Sequence, residues 1–390
     1  MKTNVGYASR SRRTAKARIV FSLGPQAAIA ATVGVLVVSA CSSSPSSSGG
    51  TGSQQSGSNL APLSLTIGTN LTAANSAQVA IGELEGYFKQ QNLNIKWITG
   101  LGSGSNNALV SGQIDLTTDG LSQLPLLSSE GQDPIGIRGV DEAGDAGYFA
   151  GGPGETLQKL KTQAGKCTIN SLAPGSLTYG YATYYNKSLG LNCDIVPLAN
   201  DTVQVSAVET SRDNALTQSA AAVTSAISKG QMTAIINPSV PADRTAAQLP
   251  SIPEDSWVGL APNLQSKKEA VTRFLMVMDQ VSNFENTHTA AQLAQLVVQN
   301  PNYAPIGVAT MTQEFAATKP FEGALLTGNG VITSPMWSSW LAFETTWNIS
   351  GFHPFADYNA YAKRIDMSYL TAARAAEESS GTASSATPTS

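Results

Sequence analysis

The scarcities in this chain narrow the field first. Among its 390 residues there are two histidines, His288 and His353. So few imidazoles argue against a zinc centre or a His-based catalytic triad, and no metal or cofactor is expected. Charged residues make up 13% of the chain and the formal net charge is -4, so a basic footprint is missing and nucleic acid is not an expected partner. The run Gly102-Ser103-Gly104-Ser105 lacks the Gly-Lys-Ser/Thr ending of a phosphate-binding loop, which leaves ATP chemistry to another protein. What is plentiful is apolar: 42% hydrophobic residues over this length allow two lobes with substantial cores.

The amino-terminal region reads as a targeting signal. Residues Lys2 to Arg18 are basic, and Ile19 to Ala40 are apolar apart from Ser22, Gln26, Thr32 and Ser39. A basic region, an apolar core and small residues before a cysteine describe a secretory signal over 1–40. The end of that segment, Val38-Ser39-Ala40-Cys41, resembles a bacterial lipobox, which implies that Cys41 is lipidated and becomes the new amino terminus. The alternative is a plain transmembrane anchor of about 20 residues. Ser42 to Ser58 is nearly all serine, glycine and glutamine, too polar to offset its ordering entropy, so 41–62 is expected to be a flexible tether. A lipid at one end and a folded body at the other place the protein outside the cytoplasm, anchored to the cell membrane.

The body opens with a repeating pattern. Leu65 to Gly68 is a short apolar strand; a polar loop from Asn70 to Ser76 follows, then a helix with Ile81, Leu84, Tyr87 and Phe88 on one side. A strand over Asn94 to Ile98, a glycine-serine loop, a short helix ended by Gly112 and a strand over Ile114 to Thr118 complete the unit. Such alternation predicts an α/β fold with parallel pairing and right-handed crossovers. Ligands on such sheets sit beyond the carboxyl ends of the strands, where these polar loops fall.

The run Leu84 to Leu93 (LEGYFKQQNL), the Gly-Ser loop and Leu109 to Asp119 (LVSGQIDLTTD) together resemble the extracytoplasmic solute-binding proteins of the nitrate/sulfonate/taurine and thiamine-precursor ABC importers. Asn92-Leu93 stands where Gly-Leu is commoner in that family. The resemblance implies a two-lobed, type II periplasmic-binding-protein-like fold, each lobe a mainly parallel sheet flanked by helices, with a helical carboxy-terminal part. It divides the body into lobe 1 (63–139 and 255–370) and lobe 2 (140–254); after Leu370 the chain turns to alanine, serine and threonine, so 371–390 is expected to be a disordered tail. It also implies a monomer that closes over a small molecule and presents it to an ABC transporter permease, rather than an enzyme. A sensor or interaction lipoprotein of the same fold is the alternative; a pyrimidine- or menaquinone-precursor enzyme fits the export signal poorly.

Candidate ligand contacts follow from the loops. In lobe 1 they are Asn70, Thr72, Asn75, Ser103, Ser105 and Asn106, with Asn75 or Ser76 and Ser105 or Asn106 also suited to cap helices. Asp119 either meets an amine-bearing group or caps the helix beginning near Leu121. In lobe 2, the resembled family presents backbone amides to its ligand at a strand-to-helix turn whose matching positions here are Gly175 and Ser176; Thr178 is a further polar candidate beside it, and Tyr148, next to Phe149, either stacks on a flat solute or belongs to the core. Lys229-Gly230-Gln231-Met232 echoes Ser111-Gly112-Gln113-Ile114, which makes Asn237 the counterpart of Asp119, or else a turn residue before Pro238. These loops contain no arginine to grip an anion in bidentate fashion, favouring a neutral or amine-bearing solute, or an anion held by backbone amides alone.

Two further expectations concern stability. Cys167 and Cys193 each stand at the start of a strand with one helix between them, so neighbouring parallel strands would bring their sulfurs to one edge and permit a disulfide. Toward the carboxy terminus, Ser266-Lys267-Lys268-Glu269 has capping-box spacing, and Trp337, Trp340 and Leu341 recur at helical intervals as core residues.

Overall fold

The computed structural model describes residues 60–385 except 70, 73–75, 102–103, 142–145, 175, 211, 213, 250–252, 328–329 and 348–360. The signal segment, Cys41, the tether up to residue 59, Asn70, Asn75, Ser103 and His353 therefore lie outside the described residues.

In chain order the first elements are β1 (Leu63–Thr69), α1 (Ala77–Leu84), α2 (Tyr87–Gln90), β2 (Leu93–Thr99), α3 (Ser105–Val110), β3 (Leu116–Gly120), α4 (Gln123–Ser129) and β4 (Pro134–Gly139). Next come β5 (Tyr148–Gly151), α5 (Leu157–Thr162), β6 (Thr168–Ser171), α6 (Leu177–Ser188), β7 (Asp194–Pro197), α7 (Asp201–Glu209), β8 (Ala215–Gln218), α8 (Ala220–Ser228), β9 (Thr233–Ile236) and α9 (Pro241–Ala247). The chain closes with β10 (Asp255–Leu260), α10 (Ala261–Ser266), α11 (Lys268–Thr287), α12 (Ala290–Val297), α13 (Val308–Thr327), α14 (Ser334–Trp347), α15 (Tyr361–Arg364) and α16 (Ser368–Ser385).

The strands form two five-stranded mixed sheets. One has the order β2-β1-β3-β10-β4, with β10 antiparallel to both neighbours; the other has β7-β6-β8-β5-β9, with β5 antiparallel to both of its own. Each sheet therefore contains one strand delivered by a crossover from the other half of the molecule.

The internal echo is a shared helix ending. Gly112 and Gly230 take the left-handed conformation, at φ of 73° and 70°. After them, Gln113 and Ile114 N–H groups donate to the Ala108 carbonyl at 2.9 and 3.3 Å, and Gln231 and Met232 to the Ala226 carbonyl at the same distances. A β-carbon would strain that conformation, so glycine is the residue both positions need. Ile114 and Met232 are then both buried as the chain turns toward a strand.

Gly82, inside α1, has a different reason. A β-carbon there would lie 2.7 Å from Phe88 and 2.9 Å from Val277, so its absence lets α1 approach α11. Around that contact Phe274 packs edge-on to Trp257 at 4.9 Å between ring centres. Behind it, fully buried Arg138 is met by Asp279 Oδ1 at 3.3 Å and by Ser282 Oγ at 2.6 Å, while Asp279 Oδ2 accepts from Arg374 of α16 at 2.9 Å.

Two helices join the halves. α13 sets Met311 and Phe315 into the first core, and Ala317 into a cluster with Tyr148, Val208 and Leu216 of the second. α14 buries Trp337 and Trp340, stacked at 5.0 Å, against Leu109, Leu121 and Leu124, and its Phe343 lies 5.2 Å from the Tyr184 ring and 6.1 Å from that of Tyr181.

Cys167 and Cys193 form the expected disulfide, with Cα atoms 4.7 Å apart. The register explains it: Thr168 pairs with Asp194, so the two cysteines immediately precede partners in adjacent parallel strands.

Three local expectations give way. The spacing of Leu216, Ala220, Val223 and Ile227 predicts one helical face, yet Leu216 is a fully buried residue of β8. A short strand buried on both faces has no alternation to distinguish it from a buried helical turn. The capping box at Ser266 is absent: Ser266 Oγ donates to the Asn263 carbonyl at 2.9 Å and Glu269 pairs with Arg273. The box forms instead at Thr289 and Gln292. Finally, the tail from 371 onward, expected to be disordered, continues as α16 to Ser385. Alanine-rich sequence has high helix propensity, and buried Ala373 with the Arg374–Asp279 pair docks the helix on α11.

Candidate functional site

The carboxyl ends of the parallel strands define where a site can be. In the first sheet β3 ends at Asp119 and Gly120, which pair with Ser256 and Asp255 at the start of β10. In the second, β8 ends at Gln218, which pairs with Tyr148 at the start of β5. Both crossovers thus enter at the strand-end edges. They are hydrogen-bonded to one another: the Val140 N–H donates to the Asp255 carbonyl at 2.9 Å, and the Asp255 N–H to Asp141 Oδ1 at 2.9 Å. A pivot at that edge moves the two rims against each other.

The rims already touch at one point. A β-carbon on Gly120 would stand 2.6 Å from Leu177 Cδ1, at the start of α6. Half-buried Asp119 beside it accepts from the Gly120 N–H at 2.9 Å, and desolvation pushes its carboxyl up to about 7 against that hydrogen bond. Asp119 does not cap the next helix, whose N-cap position is Ser122.

Other candidates are held by their own neighbourhoods. Ser176 caps α6, accepting from the Tyr179 N–H at 3.2 Å. Thr178 is buried; its Oγ1 accepts from the Leu172 N–H at 3.2 Å and its carbonyl from Thr217 Oγ1 at 2.6 Å. Ser105 is buried at the first position of α3, behind Gly104 at the N-cap, and Asn106 donates to Gln123 Oε1 of α4 at 2.7 Å. Ser76 is the N-cap of α1, but its hydroxyl bonds to that of Tyr303 rather than to the helix amides. Tyr148 is buried among core residues including Val208 and Leu216. Asn237 makes a turn, Oδ1 accepting from the Ser239 N–H at 2.9 Å and hydroxyl at 2.7 Å.

Thr72 borders open space. Its carbonyl accepts from the Tyr303 hydroxyl at 3.2 Å, and the residue lines a cavity of about 360 Å³ that also meets α7, the amino end of α8 and α13. Behind it Gln218 Nε2 donates to Asp201 Oδ1 at 2.8 Å and to Gln204 Oε1 at 3.2 Å, a buried polar layer at the end of β8. The sequence reading missed this wall, because α7 carries its polar and apolar residues in no strongly segregated pattern. Its legible signal was Asn200, which caps α7 by accepting from the Val203 N–H at 3.0 Å. Among the described residues no group of His, Cys, Asp and Glu side chains could hold a metal ion, and no helix is long and apolar enough to cross a membrane.

Two mixed sheets, joined by paired crossovers at their strand-end edges and followed by a helical region, constitute the two-lobed periplasmic-binding-protein fold of type II. Comparison with solved structures agrees. The ligand-binding component of an ABC-type import system from Staphylococcus aureus superposes with a TM-score of 0.64 at 13% identity, covering 79% of this chain and 98% of that one. The periplasmic nitrate-binding protein of Synechocystis PCC 6803 gives 0.63 at 13% identity, over 81% and 89%. The alkanesulfonate-binding protein of Xanthomonas axonopodis pv. citri gives 0.54 at 14%, over 73% and 94%. No family model matches the chain, and no curated protein does. At such identities the likeness is one of fold.

Proposed function

We propose that this chain is an extracytoplasmic solute-binding lipoprotein, which captures a small molecule between its lobes and delivers it to an ABC importer. The observation that carries this reading is the hinge. Both crossovers join the sheets at the edges where Gly120 pairs with Asp255 and Tyr148 with Gln218, so bending there opens or shuts the strand-end rims on a guest. A guest that touches both rims favours the closed form by its differential affinity. The lobes are taken as 63–139 with 255–370, and 140–254, and the reading assigns Thr72, Asp119, Ser176 and Asn237 to the solute's surroundings. The solute is neutral or amine-bearing, which agrees with the lack of arginine in the rim loops. Membrane attachment rests on the Cys41 lipobox and the serine-glycine tether.

A thermal-shift screen of the purified chain against sulfonates, oxyanions, amines and pyrimidines tests the reading. A ligand at about a hundred times its dissociation constant should add about 2.7 kcal/mol of stability. A screen blank in every class would sink it. Metabolic labelling with a fatty-acid analogue tests the anchor, and Cys41→Ser should abolish incorporation.

A further inference from the structure

The parallel strands of the second sheet have another end, opposite Gln218, and its charge differs from that of the chain as a whole. Lys159 and Lys161 lie in the last turn of α5, Lys166 precedes β6, Lys187 lies in the last turn of α6 before β7, and Lys229 follows α8 before β9. All five lysines are exposed. Arg212, before β8, is a sixth cation at that edge. The described carboxylates there are Glu155, Asp194 and Glu209, so six cations stand against three anions on a chain whose formal net charge is -4.

Hydrogen bonds stitch these turns into one surface. The Gly165 N–H donates to the Asn192 carbonyl at 2.9 Å, joining the turns of Lys166 and Lys187. Asn214 Nδ2 donates to Gln163 Oε1 at 2.8 Å and its Oδ1 accepts from the Thr168 N–H at 2.8 Å, which brings in the turn before β8. The Gly154 N–H donates to Thr233 Oγ1 at 2.9 Å, tying the approach to α5 to the start of β9, just past Lys229. Gly165 and Gly190 take the left-handed conformation at φ of 78° and 65°, and a β-carbon on either would meet nothing within 4 Å, so these turns are tight and face open space. With neighbouring strands about 4.8 Å apart, the sheet's edge runs for about 20 Å.

Helix ends explain part of the pattern. A lysine in a last turn suits the helix dipole, which accounts for Lys159, Lys161 and Lys187. The dipole does not supply side-chain partners, however. Lys159 Nζ donates to the Gly154 carbonyl, and none of the five lysines pairs with a carboxylate among the described residues.

We infer that this edge is a contact surface for an anionic lipid bilayer. An acidic protein partner would need carboxylates at fitted positions, whereas a plane of phosphate headgroups needs only exposed cations along a blunt edge, which the turns supply. Each lysine brought near such a surface strengthens binding about fivefold. The proposed lipid anchor keeps a bilayer close, since the chain from Cys41 to Leu60 spans at most about 65 Å. With the edge on the bilayer, the end of the sheet at Gln218 points away from it, and the solute side of that sheet is turned outward. This contact does not depend on which solute binds.

Co-sedimentation with vesicles tests it, using the chain from Ser42 onward. That chain keeps every described residue and the compact unit 56–390, and omits Cys41 and the basic run from Lys2 to Arg18. It should sediment with vesicles of phosphatidylglycerol and phosphatidylcholine in equal parts and not with phosphatidylcholine alone. At about 1 M salt, where the screening length is about 3 Å, it should be released. K166E/K187E/K229E should weaken binding by about tenfold or more, and K89E/K96E/K268E, the same charge change on exposed residues of the other half, should not. Binding to neither vesicle, or to both equally, overturns the lipid contact. Equal weakening by the two triple variants overturns its location, because net charge alone would then be responsible. None of these outcomes bears on the thermal-shift screen, which judges the solute-binding reading separately.

Discussion

Leu177 rests against Gly120 so closely that a β-carbon on the glycine would lie 2.6 Å from Leu177 Cδ1 and 2.9 Å from its Cγ. One residue ends a strand of the first sheet and the other begins a helix of the second, so this contact records how far the rims have approached. Gly120→Ala should destabilise the unliganded protein by about 1–3 kcal/mol through overpacking. Leu177→Ala should recover most of that loss in the double variant. A double-mutant cycle by urea denaturation measures it, and additive effects would mean that the two residues do not share the contact.

Asp119 gives the stability a pH dependence of defined sign. Its carboxyl is raised from 3.8 to about 7 by desolvation, so the folded state holds the proton more tightly than the unfolded one. Stability from this group is therefore present at low pH and is lost as pH rises from about 4 through about 7. The window corresponds to at most about 4 kcal/mol, which partial exposure screens to about 2 kcal/mol. Asp119→Asn should match the wild type near pH 4 and exceed it by about that amount at pH 8. Parallel denaturation curves across the range would refute the assignment.

Glu285 adds a second contribution of the same sign. It is buried beside Gln78, its carboxyl pushed up to about 7 by desolvation despite the opposing charges of Arg138 and Lys319. Glu285→Gln should flatten a further part of the pH profile between about 5 and 7. The combined Asp119→Asn and Glu285→Gln variant then has the flattest curve of the set.

The Cys167–Cys193 bridge closes a loop with a sequence separation of 26. Chain-entropy arithmetic gives it about 3.5 kcal/mol of stabilisation. Reduction, or Cys167→Ser with Cys193→Ser, should lower the unfolding free energy by about 2–4 kcal/mol. Ligand affinity should be unchanged, because both residues lie at the strand-start edge, away from Asp119 and Gln218.

Asp279 serves two arginines, Arg138 within the core and Arg374 on the last helix. Asp279→Ala strands a buried guanidinium and should cost about 3–5 kcal/mol. Hydrogen exchange should show α16 losing protection first, since that pair is one of its ties to α11.

Much of the fold was legible from local pattern. The alternation after Leu63 announced parallel strands, the paired glycines 112 and 230 announced two helix endings, and the cysteines announced adjacent strands. The candidate site was less so. Ser176 could be read because an N-cap is decided within four residues, whereas Tyr148 and Leu216 looked like a ligand platform and a helix face because only their packing partners reveal them as core.

The order of residues by itself determined most helices and strands and the disulfide, since each depends on spacing along the chain or on one neighbouring strand, while the two-lobed class was implied by the resemblance carried by Leu84 to Asp119. Tertiary structure alone decided that α13 and α14 would span both lobes, that Leu177 would meet Gly120, and that the turns of Lys166, Lys187 and Lys229 would share one edge. Those pairings join distant segments, and the burial and charge that give them meaning exist only once the chain has closed upon itself.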